Sequence, residues 1–587
     1  MLRIQSSVFK ACLVLLLGLA FSRSAWAQEA YRLELTATDG QRKVLSGYRM
    51  AEEVPDSIQA EAQLKALLAQ LHDDGYLMAR VTSRKSLEAG LAVKMEIGQR
   101  FEWLGLKRGN LDKGLIRRSG FNESRFDGRP FRYSQISKVF KSLVGHAERN
   151  GYPFARATID SLHIANEQIA GVLNFDTGPP ITFDSVNVKA DFRIKSKFLG
   201  NYLGIRMGEL FDQTRIDRLG RALTSLPYLR VAEAPRLTFQ NSEATLHLKL
   251  ARRRVNQIDG IIGFLPDANN DGALLVTGQF DLLLYNPFGT GKKIGVHWQR
   301  QNVESQSLDL EYDHPVLFGT PINANLQFNL LKQDTTFLSR DLRFNLSYRL
   351  GANGQFSVFT RQQATDRIST VGLSELTALP EVLNLTVASY GLGFSWNSFD
   401  DFFLPRRGVS INVKAAAGNK KITPDANIPN ELVRDLDRKN LQYQFDLMCE
   451  KHSPCGSRIV MVNRLGGGLI VNDQLFRNDA YRLGGLNSIR GFNENLFFAT
   501  RYLTTTLEGR LFFDGLSYFS AFADYGMIYD GFAEVPLTDH ALGLGAGISF
   551  STEAGIFNFI YALGRSDLSG PLTVNQSKIH FGFTSRF

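Results

Sequence analysis

The chain has 587 residues, which is too long for one compact domain, so several domains are expected. Its net charge is +9 with acids and bases interspersed, a distribution that gives no argument for nucleic acid as a partner. After the N-terminal segment, no stretch is apolar for the roughly 20 residues that a membrane-spanning helix needs, so the rest of the chain is either soluble or a β-barrel.

The N-terminal residues predict export from the cytoplasm. Arg3 and Lys10 flank a polar start, residues 11–21 form an apolar run too short to span a bilayer, and residues 25–27 place alanines at a cleavage site. We interpret residues 1–27 as a secretory signal peptide. The alternative is an N-terminal membrane anchor, which needs roughly 20 apolar residues.

A repeat with a period of 76 residues follows. Tyr76, Tyr152 and Tyr228 each lie where a helical pattern ends and a strand pattern begins. The helix before each tyrosine has apolar residues at helical spacing, such as Leu64 and Leu71 in the first copy. Each copy contains a strand, one or two helices and a hairpin, which predicts a small mixed sheet with helices on one face. The predicted modules are residues 28–99, 100–179 and 180–253.

The pattern changes at Val255. Segments of about 10 residues then alternate apolar with polar or small residues, which is typical of strands with one wet and one apolar face. Short turns such as 286–291 alternate with long polar segments such as 472–500. We count about 16 strands and predict that residues 254–587 form an antiparallel transmembrane β-barrel. The soluble alternative, an array of β-sandwiches, would need polar outer faces.

Two cysteines remain after Cys12, which lies in the predicted signal peptide. Cys449 and Cys455 are close in sequence and would meet an oxidising compartment, so we expect a structural disulfide across a turn. A redox or metal-binding pair is the alternative.

Searches for enzyme motifs find no catalytic or phosphate-binding pattern, and the nine histidines are scattered. Residues 267–272 begin like a calcium loop, but Gly278 stands where the bidentate Glu should follow. We therefore expect a turn there, no metal, no cofactor and no enzyme activity.

The strongest local signal is Arg490-Gly491-Phe492 in the longest late loop. Glycine lets a loop fold back sharply, and the phenylalanine offers it something to bury. Alternation places Glu508 on the lumenal face of the next strand, and Asp524 on the strand after that. We expect Arg490 to pair with these carboxylates inside the barrel. The alternative is a solvated loop in an interior that is polar anyway.

At these residues the chain resembles the BamA/TamA superfamily of outer-membrane assembly and translocation barrels. Its members place an Arg-Gly-Phe/Tyr loop inside a 16-stranded barrel and carry a Phe-x-Asp-x-Gly element on a following strand, here Phe522 to Gly526 on the expected strand 13. The predicted modules resemble the family's periplasmic POTRA domains. Three repeats are typical of the TamA branch, whereas BamA usually has five and two-partner secretion transporters usually two behind a plug helix.

The resemblance implies a barrel in the bacterial outer membrane with POTRA domains in the periplasm. It implies insertion or export of client proteins without nucleotide hydrolysis, through a weak lateral seam between the first and last strands. Gly260 and Gly263 would loosen the first strand. The last strand carries Gly582 and ends at Phe587, although Ser585 departs from the family's apolar pattern.

The implied partners are outer-membrane lipid, unfolded outer-membrane or secreted clients, and a periplasm-spanning TamB-like protein. Two other functions remain open. One is a dedicated secretion pore for a single exported partner, and the other is a passive diffusion porin.

Overall fold

The computed structural model describes residues 31–38, 41–266, 274–300, 305–333, 335–351, 353–532, 537–552, 555–567 and 577–585. The predicted signal peptide (1–27), the predicted turn at 267–272 and Phe587 lie outside these residues. The chain divides into two compact units: the first two modules, and the third module together with the barrel. In the described ranges, no helix is both long and apolar enough to cross a membrane.

The first module is a four-stranded sheet in the order β2-β1-β4-β3. Its elements are β1 (Tyr31–Ala37), α1 (Arg42–Leu45), β2 (Glu53–Val54), α2 (Ser57–Asp73), β3 (Arg80–Leu87) and β4 (Gly90–Glu96). The Asp56 side chain caps α2 by accepting from the Gln59 N–H. The predicted stripe of Leu64, Leu67 and Leu71 is buried against the sheet.

The second module repeats this plan, with the sheet order β6-β5-β8-β7. Its elements are β5 (Glu102–Lys107), α3 (Lys113–Ser119), β6 (Arg129–Pro130), α4 (Tyr133–Glu148), β7 (Arg156–Ala165) and β8 (Gln168–Asp176). As in the first module, the first strand runs parallel to the last.

The third module has three strands in the order β10-β11-β9. Its elements are β9 (Thr182–Ala190), α5 (Ser196–Leu203), α6 (Gln213–Thr224), β10 (Leu229–Gln240) and β11 (Glu243–Arg252). The three modules confirm the predicted α+β fold, in which helices cover one face of a small mixed sheet.

A 16-stranded antiparallel sheet follows, as predicted. Its first eleven strands are β12 (Gln257–Pro266), β13 (Leu274–Tyr285), β14 (Lys293–Arg300), β15 (Gln306–His314), β16 (Ile322–Gln333), β17 (Phe337–Leu350), β18 (Gly354–Arg367), β19 (Leu385–Asn397), β20 (Gly408–Ile422), β21 (Lys439–Cys455) and β22 (Ile459–Val471). A two-stranded ribbon, β23 (Tyr481–Leu483) and β24 (Phe497–Ala499), lies in the next loop. The last five barrel strands are β25 (Arg501–Phe512), β26 (Tyr518–Asp530), β27 (Leu537–Ser551), β28 (Ile556–Arg565) and β29 (Lys578–Thr584).

Side chains alternate between the two faces of this sheet. Leu507 on β25 is 51% exposed on the outer face, whereas its neighbour Glu508 is 5% exposed on the inner face. This alternation confirms an apolar outer surface and a polar lumen. The sheet runs from β12 to β29, and within the described residues no backbone ladder joins these two end strands.

Connections differ between the two rims of the barrel. Residues 286–292, 315–321 and 513–517 are short turns on the rim that contacts the third module, which we call the repeat-side rim. Residues 368–384, 423–438 and 472–500 are longer and lie on the opposite rim. There one hydrophobic cluster joins these three loops, through residues that include Leu383, Ile428 and Phe476.

An ion pair between Lys420 and Asp479 ties the opposite rim together. Both side chains are fully buried, and Lys420 Nζ also donates to the Gln474 carbonyl at 2.7 Å. Asp479 additionally accepts the backbone N–H of Phe476 at 2.9 Å. A long loop is thereby attached to the end of β20.

The predicted disulfide between Cys449 and Cys455 is wrong. Both residues lie on β21, and the turn that the prediction placed between them comes after Cys455. Six residues of strand span roughly 20 Å, whereas a disulfide requires Cα atoms within about 7 Å. Both cysteines are free thiols.

Candidate functional site

Strand register brings two carboxylates together inside the barrel. On β25 and β26, Thr506 is paired with Asp524 and Glu508 with Phe522. All four side chains are buried on the lumenal face. Diagonal neighbours on one face of a sheet lie within reach of a long side chain, so Glu508 and Asp524 can share one cation.

Arg490 is that cation. Its Nε and Nη2 donate to Asp524 Oδ2 and Oδ1 at 2.7 and 2.8 Å, a bidentate pair. Its Nη1 donates to Glu508 Oε2 at 2.7 Å. The side chains are 9%, 2% and 6% exposed in the order Arg490, Asp524 and Glu508. The Arg490 loop thus lies inside the barrel.

Further donors complete this charge network. The backbone N–H of Arg490 donates to Asp524 Oδ2 at 3.0 Å, and Thr506 Oγ1 donates to Asp524 Oδ1 at 2.8 Å. Arg510 Nε donates to Glu508 Oε1 at 2.6 Å. Two guanidinium groups therefore balance two carboxylates, which is the condition under which buried charges are tolerated. Alternation along β25 puts Thr506 and Arg510 on the same face as Glu508, but this pattern alone did not assign them as partners.

Phe522 forms the base of the network. The Arg490 Cζ lies 3.4 Å from the centroid of the Phe522 ring, a cation–π contact shielded from water. The Phe522 to Gly526 element lies on β26, the thirteenth strand of the barrel, as the resemblance implied. At its other end, a β-carbon at Gly526 would lie 2.3 Å from Ile489 Cδ1, so a side chain there would displace the end of Ile489.

Gly526 belongs to a glycine floor that also includes Gly543 on β27 and Gly564 on β28. A β-carbon at Gly543 would lie 2.0 Å from the Arg490 carbonyl oxygen, and one at Gly564 would lie 2.4 Å from that of Gly491. Gly491 itself has φ +94° and approaches the backbone of Leu563. The loop backbone therefore rests directly on the backbones of β27 and β28, and the Ile489 side chain rests on β26.

Sequence reasoning missed the floor residues Gly543 and Gly564. A usable signal exists, because Gly543, Gly545 and Gly547 alternate along β27 and so share its face. Gly545 serves the same site, since a β-carbon there would lie 2.4 Å from Phe522 Cζ.

Packing and hydrogen bonds hold the residues that flank Arg490 in the loop. Phe492 packs against Phe497 with ring centroids 4.9 Å apart, within a cluster that includes Ile489 and Ile528. Ser488 Oγ accepts from the Gly484 N–H and donates to its carbonyl, at 2.7 and 2.9 Å. These contacts position the loop above the glycine floor.

The predicted seam residues lie apart from this network, at the two ends of the sheet. Gly260 and Gly263 are on β12, and Gly582 is on β29. A β-carbon at Gly260 would find its nearest neighbours at 3.8 Å and one at Gly582 at 4.0 Å, so neither needs glycine for space. Among the described side chains, no three His, Cys, Asp or Glu residues cluster as metal ligands.

Comparisons with known proteins agree with this architecture. A family model for the Omp85 superfamily domain matches residues 286–587. A search of curated proteins finds no match. The structure is similar to CdiB from Escherichia coli, with 14% identity, a TM-score of 0.55, and coverage of 90% of this chain and 98% of that one.

Two further structures show similarity. CdiB from Acinetobacter baumannii has 13% identity and a TM-score of 0.54, covering 92% of this chain and 100% of that one. BamA from Haemophilus ducreyi lacking POTRA domains 1–3 has 14% identity and a TM-score of 0.43, and the match covers 82% of this chain and 100% of that one. At these identities the two CdiB structures establish the fold alone, and the BamA score is too low to argue from. Because the family model covers just over half of the sequence, the chain belongs to the Omp85 superfamily, with its barrel in the bacterial outer membrane and its POTRA domains in the periplasm.

Proposed function

We propose that this protein inserts or exports client proteins through a lateral seam between β12 and β29, without nucleotide hydrolysis. Membership of the Omp85 superfamily supports an outer-membrane assembly or secretion barrel. The observation that carries the seam is the sheet itself, whose end strands share no backbone ladder within the described residues. An unpaired strand edge is a template to which another strand can add.

The last strand is suited to moving. β29 is described for seven residues, from Lys578 to Thr584, and all seven pair with β28. Gly582 lies within it and Gly260 lies on the facing edge strand, and glycine weakens strands. A client strand can add to β12 while β29 swings away with limited loss of hydrogen bonds.

The Arg490 loop would brace the barrel beside this seam. Its contacts reach β25 through Glu508, β26 through Asp524, β27 through Gly543 and β28 through Gly564. These four strands would then behave as one rigid block. Opening would be confined to β29 and its junction with β12.

A reversible disulfide tests the seam. In a Cys449→Ala/Cys455→Ala background, we would place one cysteine among residues 257–260 and one among residues 579–582, and select the pair that cross-links. Oxidation should abolish client insertion into proteoliposomes, and reduction should restore it. The barrel should stay folded, as judged by its heat-modifiable mobility in SDS gels.

The matched control is a cross-link that leaves the seam free. Phe559 on β28 is already paired with Phe581 on β29. A Phe559→Cys/Phe581→Cys disulfide should therefore permit insertion. Continued insertion by the locked seam variant would contradict the proposed route.

A dedicated secretion pore is the second candidate, favoured by a polar cavity at the repeat-side rim. Tyr228 of the third module lines it together with Lys293, Arg343, Arg349 and Lys414 of the barrel. An extended exported chain would pass through this polar lumen. Export that persists after the seam is locked would identify the lumenal route.

We further infer that the periplasmic sheets dock clients or a periplasm-spanning TamB-like partner. Sheet order places β3, β7 and β10 at an edge of the three modules, where an extended segment could add as a further strand. A photo-cross-linker at Lys85, which is exposed on β3, should capture that partner in cells. The same group at Lys65, on the opposite helix layer in α2, should not.

A further inference from the structure

Two turns on the repeat-side rim carry exposed phenylalanines. Phe318, in the turn between β15 and β16, is 93% exposed, and Phe288, between β13 and β14, is 54% exposed. Met207, which follows α5 of the third module, is 78% exposed. Apolar side chains presented together in this way indicate an interaction surface.

The Phe318 turn is held in a conformation that bulky residues rarely adopt. Val316 has φ +56° and Phe318 has φ +52°, in the left-handed region that is costly for β-branched and aromatic side chains. The turn is nevertheless well fixed, because the Val316 N–H donates to Asn323 Oδ1 at 3.1 Å and Thr320 Oγ1 donates to the Leu317 carbonyl at 2.6 Å. The aromatic ring is therefore presented outward by a defined turn.

Both turns are attached to the same segment of the third module. The Lys195 N–H donates to the Gly289 carbonyl at 2.8 Å, and Asn286 Nδ2 donates to the Arg193 carbonyl at 3.0 Å. At the other end of α5, Arg206 Nη2 donates to the Gly319 carbonyl at 2.8 Å. The module and the two aromatic turns form one continuous surface.

That surface continues the lipid-facing wall of the barrel. β15 and β16 end at the Phe318 turn, and their outer faces carry the exposed side chains of Leu310 and Leu326. On the adjacent β17, Tyr348 and Leu350 are exposed near the same rim. Phe318 thus lies one step beyond the apolar band, at the depth where aromatic residues favour the bilayer interface.

The surroundings of the two turns are basic. Arg193 and Lys195 are exposed on the segment leading into α5, and Lys197 is exposed in the first turn of α5. Lys292 Nζ lies 6.0 Å from the centroid of the Phe288 ring. Of the nearby acids, Glu209 is paired with Arg215 at 2.5 Å, and Asp191 accepts the backbone N–H of Arg252 at 2.8 Å. Exposed cations around apolar side chains match a membrane surface that carries phosphate groups.

We propose that Phe288, Phe318 and Met207 insert into the phospholipid interface at the repeat-side rim, with Arg193, Lys197 and Lys292 binding lipid phosphates. This contact holds the third POTRA domain against the membrane. A client polypeptide is a less suitable occupant, because the apolar side chains lie outside the lumen and continue the lipid-facing wall. The proposal is independent of the seam.

Fluorescence quenching tests the insertion. In the Cys449→Ala/Cys455→Ala background, Phe318→Cys and Phe288→Cys are each labelled with the environment-sensitive dye NBD. The folded protein is then reconstituted into phosphatidylcholine–phosphatidylglycerol vesicles. The matched control is Gln240→Cys, exposed at the tip of the β10–β11 hairpin, away from the connection of β11 to the barrel. Each variant is first checked for heat-modifiable mobility.

We expect NBD at positions 318 and 288 to show blue-shifted emission compared with NBD at position 240. Shallow nitroxide lipids should also quench NBD at positions 318 and 288 several-fold more strongly than at position 240. Equal, weak quenching at all three positions would overturn the proposal. If one phenylalanine variant does not fold, the other carries the same test. Replacing Arg193 and Lys197 by Gln should weaken the quenching at position 318. Unchanged quenching would contradict the proposed binding of lipid phosphates by these two residues.

Discussion

The carbonyl oxygen of Arg490 lies so close to Gly543 that a β-carbon at position 543 would approach it to 2.0 Å. The other atom in this contact belongs to backbone, which cannot rotate away as the end of a flexible side chain can. Docking of the loop therefore depends on the absence of a side chain on β27. The charge network of Arg490 depends on the glycine floor, because the guanidinium reaches Asp524 only when the loop backbone rests on β27.

Replacing Gly543 by Ala should displace the loop while leaving the barrel folded. Forcing an extra carbon into a close-packed contact costs about 1–3 kcal/mol. Arg490, which is buried when the loop is docked, should become a site for limited trypsin digestion, and client insertion should fall. Gly509→Ala on β25 is the matched control, because its β-carbon would meet its nearest atom at 3.6 Å and the residue lies away from the seam. A tryptic pattern identical in the two variants would argue against the steric role of Gly543.

Replacing Arg490 by Ala should leave an assembled but poorly active barrel. The change leaves Asp524 without a cation and Glu508 with Arg510 alone, and breaking a buried pair in this way costs about 3–5 kcal/mol. Arg490→Lys retains the charge but cannot reproduce the bidentate pairing with Asp524, so it should have intermediate activity. Client assembly in reconstituted liposomes measures both variants, and wild-type activity in Arg490→Ala would contradict the bracing role.

How far the sequence predicts this site depends on the range of the interactions. Alternation along residues 503–511 places Glu508 in the lumen because strand geometry forces a period of two, and the same reasoning applies to Phe522 and Asp524. The requirement for Gly543 arises from the approach of a backbone some 50 residues away in the chain, which no local pattern describes.

The cysteines show a different limit. Strand existence is predictable from alternation, but β21 has 17 residues, well beyond the length of about 10 that the pattern suggests. The strand therefore continues past Cys449 to Cys455, and the turn is displaced to residues 456–458. The TamA branch, which rests on repeat number, stays a prediction.

Breaking the Lys420–Asp479 pair should loosen the opposite rim. Lys420→Met leaves a buried carboxylate without its cation, at a cost of about 3–5 kcal/mol. We expect faster external proteolysis of residues 423–438 and larger current fluctuations in planar bilayers. The double variant Lys420→Met/Asp479→Leu removes both charges and should recover much of the lost protection, whereas a double variant as sensitive as the single one would rule out charge burial as the cause.

Strengthening the seam strands should slow insertion. Both Gly260 and Gly582 have room for a β-carbon, with nearest atoms at 3.8 and 4.0 Å, so glycine at these positions weakens the strands without serving packing. Valine favours strands over glycine by about 1 kcal/mol. Gly260→Val/Gly582→Val should therefore give a barrel more resistant to urea, with an initial rate of client insertion lower by about fivefold.

The control for this variant is a strand glycine far from the seam. Gly509 on β25 also has room, since a β-carbon there would meet its nearest atom, Met461 Sδ, at 3.6 Å. Gly509→Val should raise the urea resistance of the barrel without slowing insertion, because β25 belongs to the block that the Arg490 loop holds rigid. If the seam variant and Gly509→Val slow insertion equally, general barrel stiffness limits the rate, and the edges of β12 and β29 have no special role.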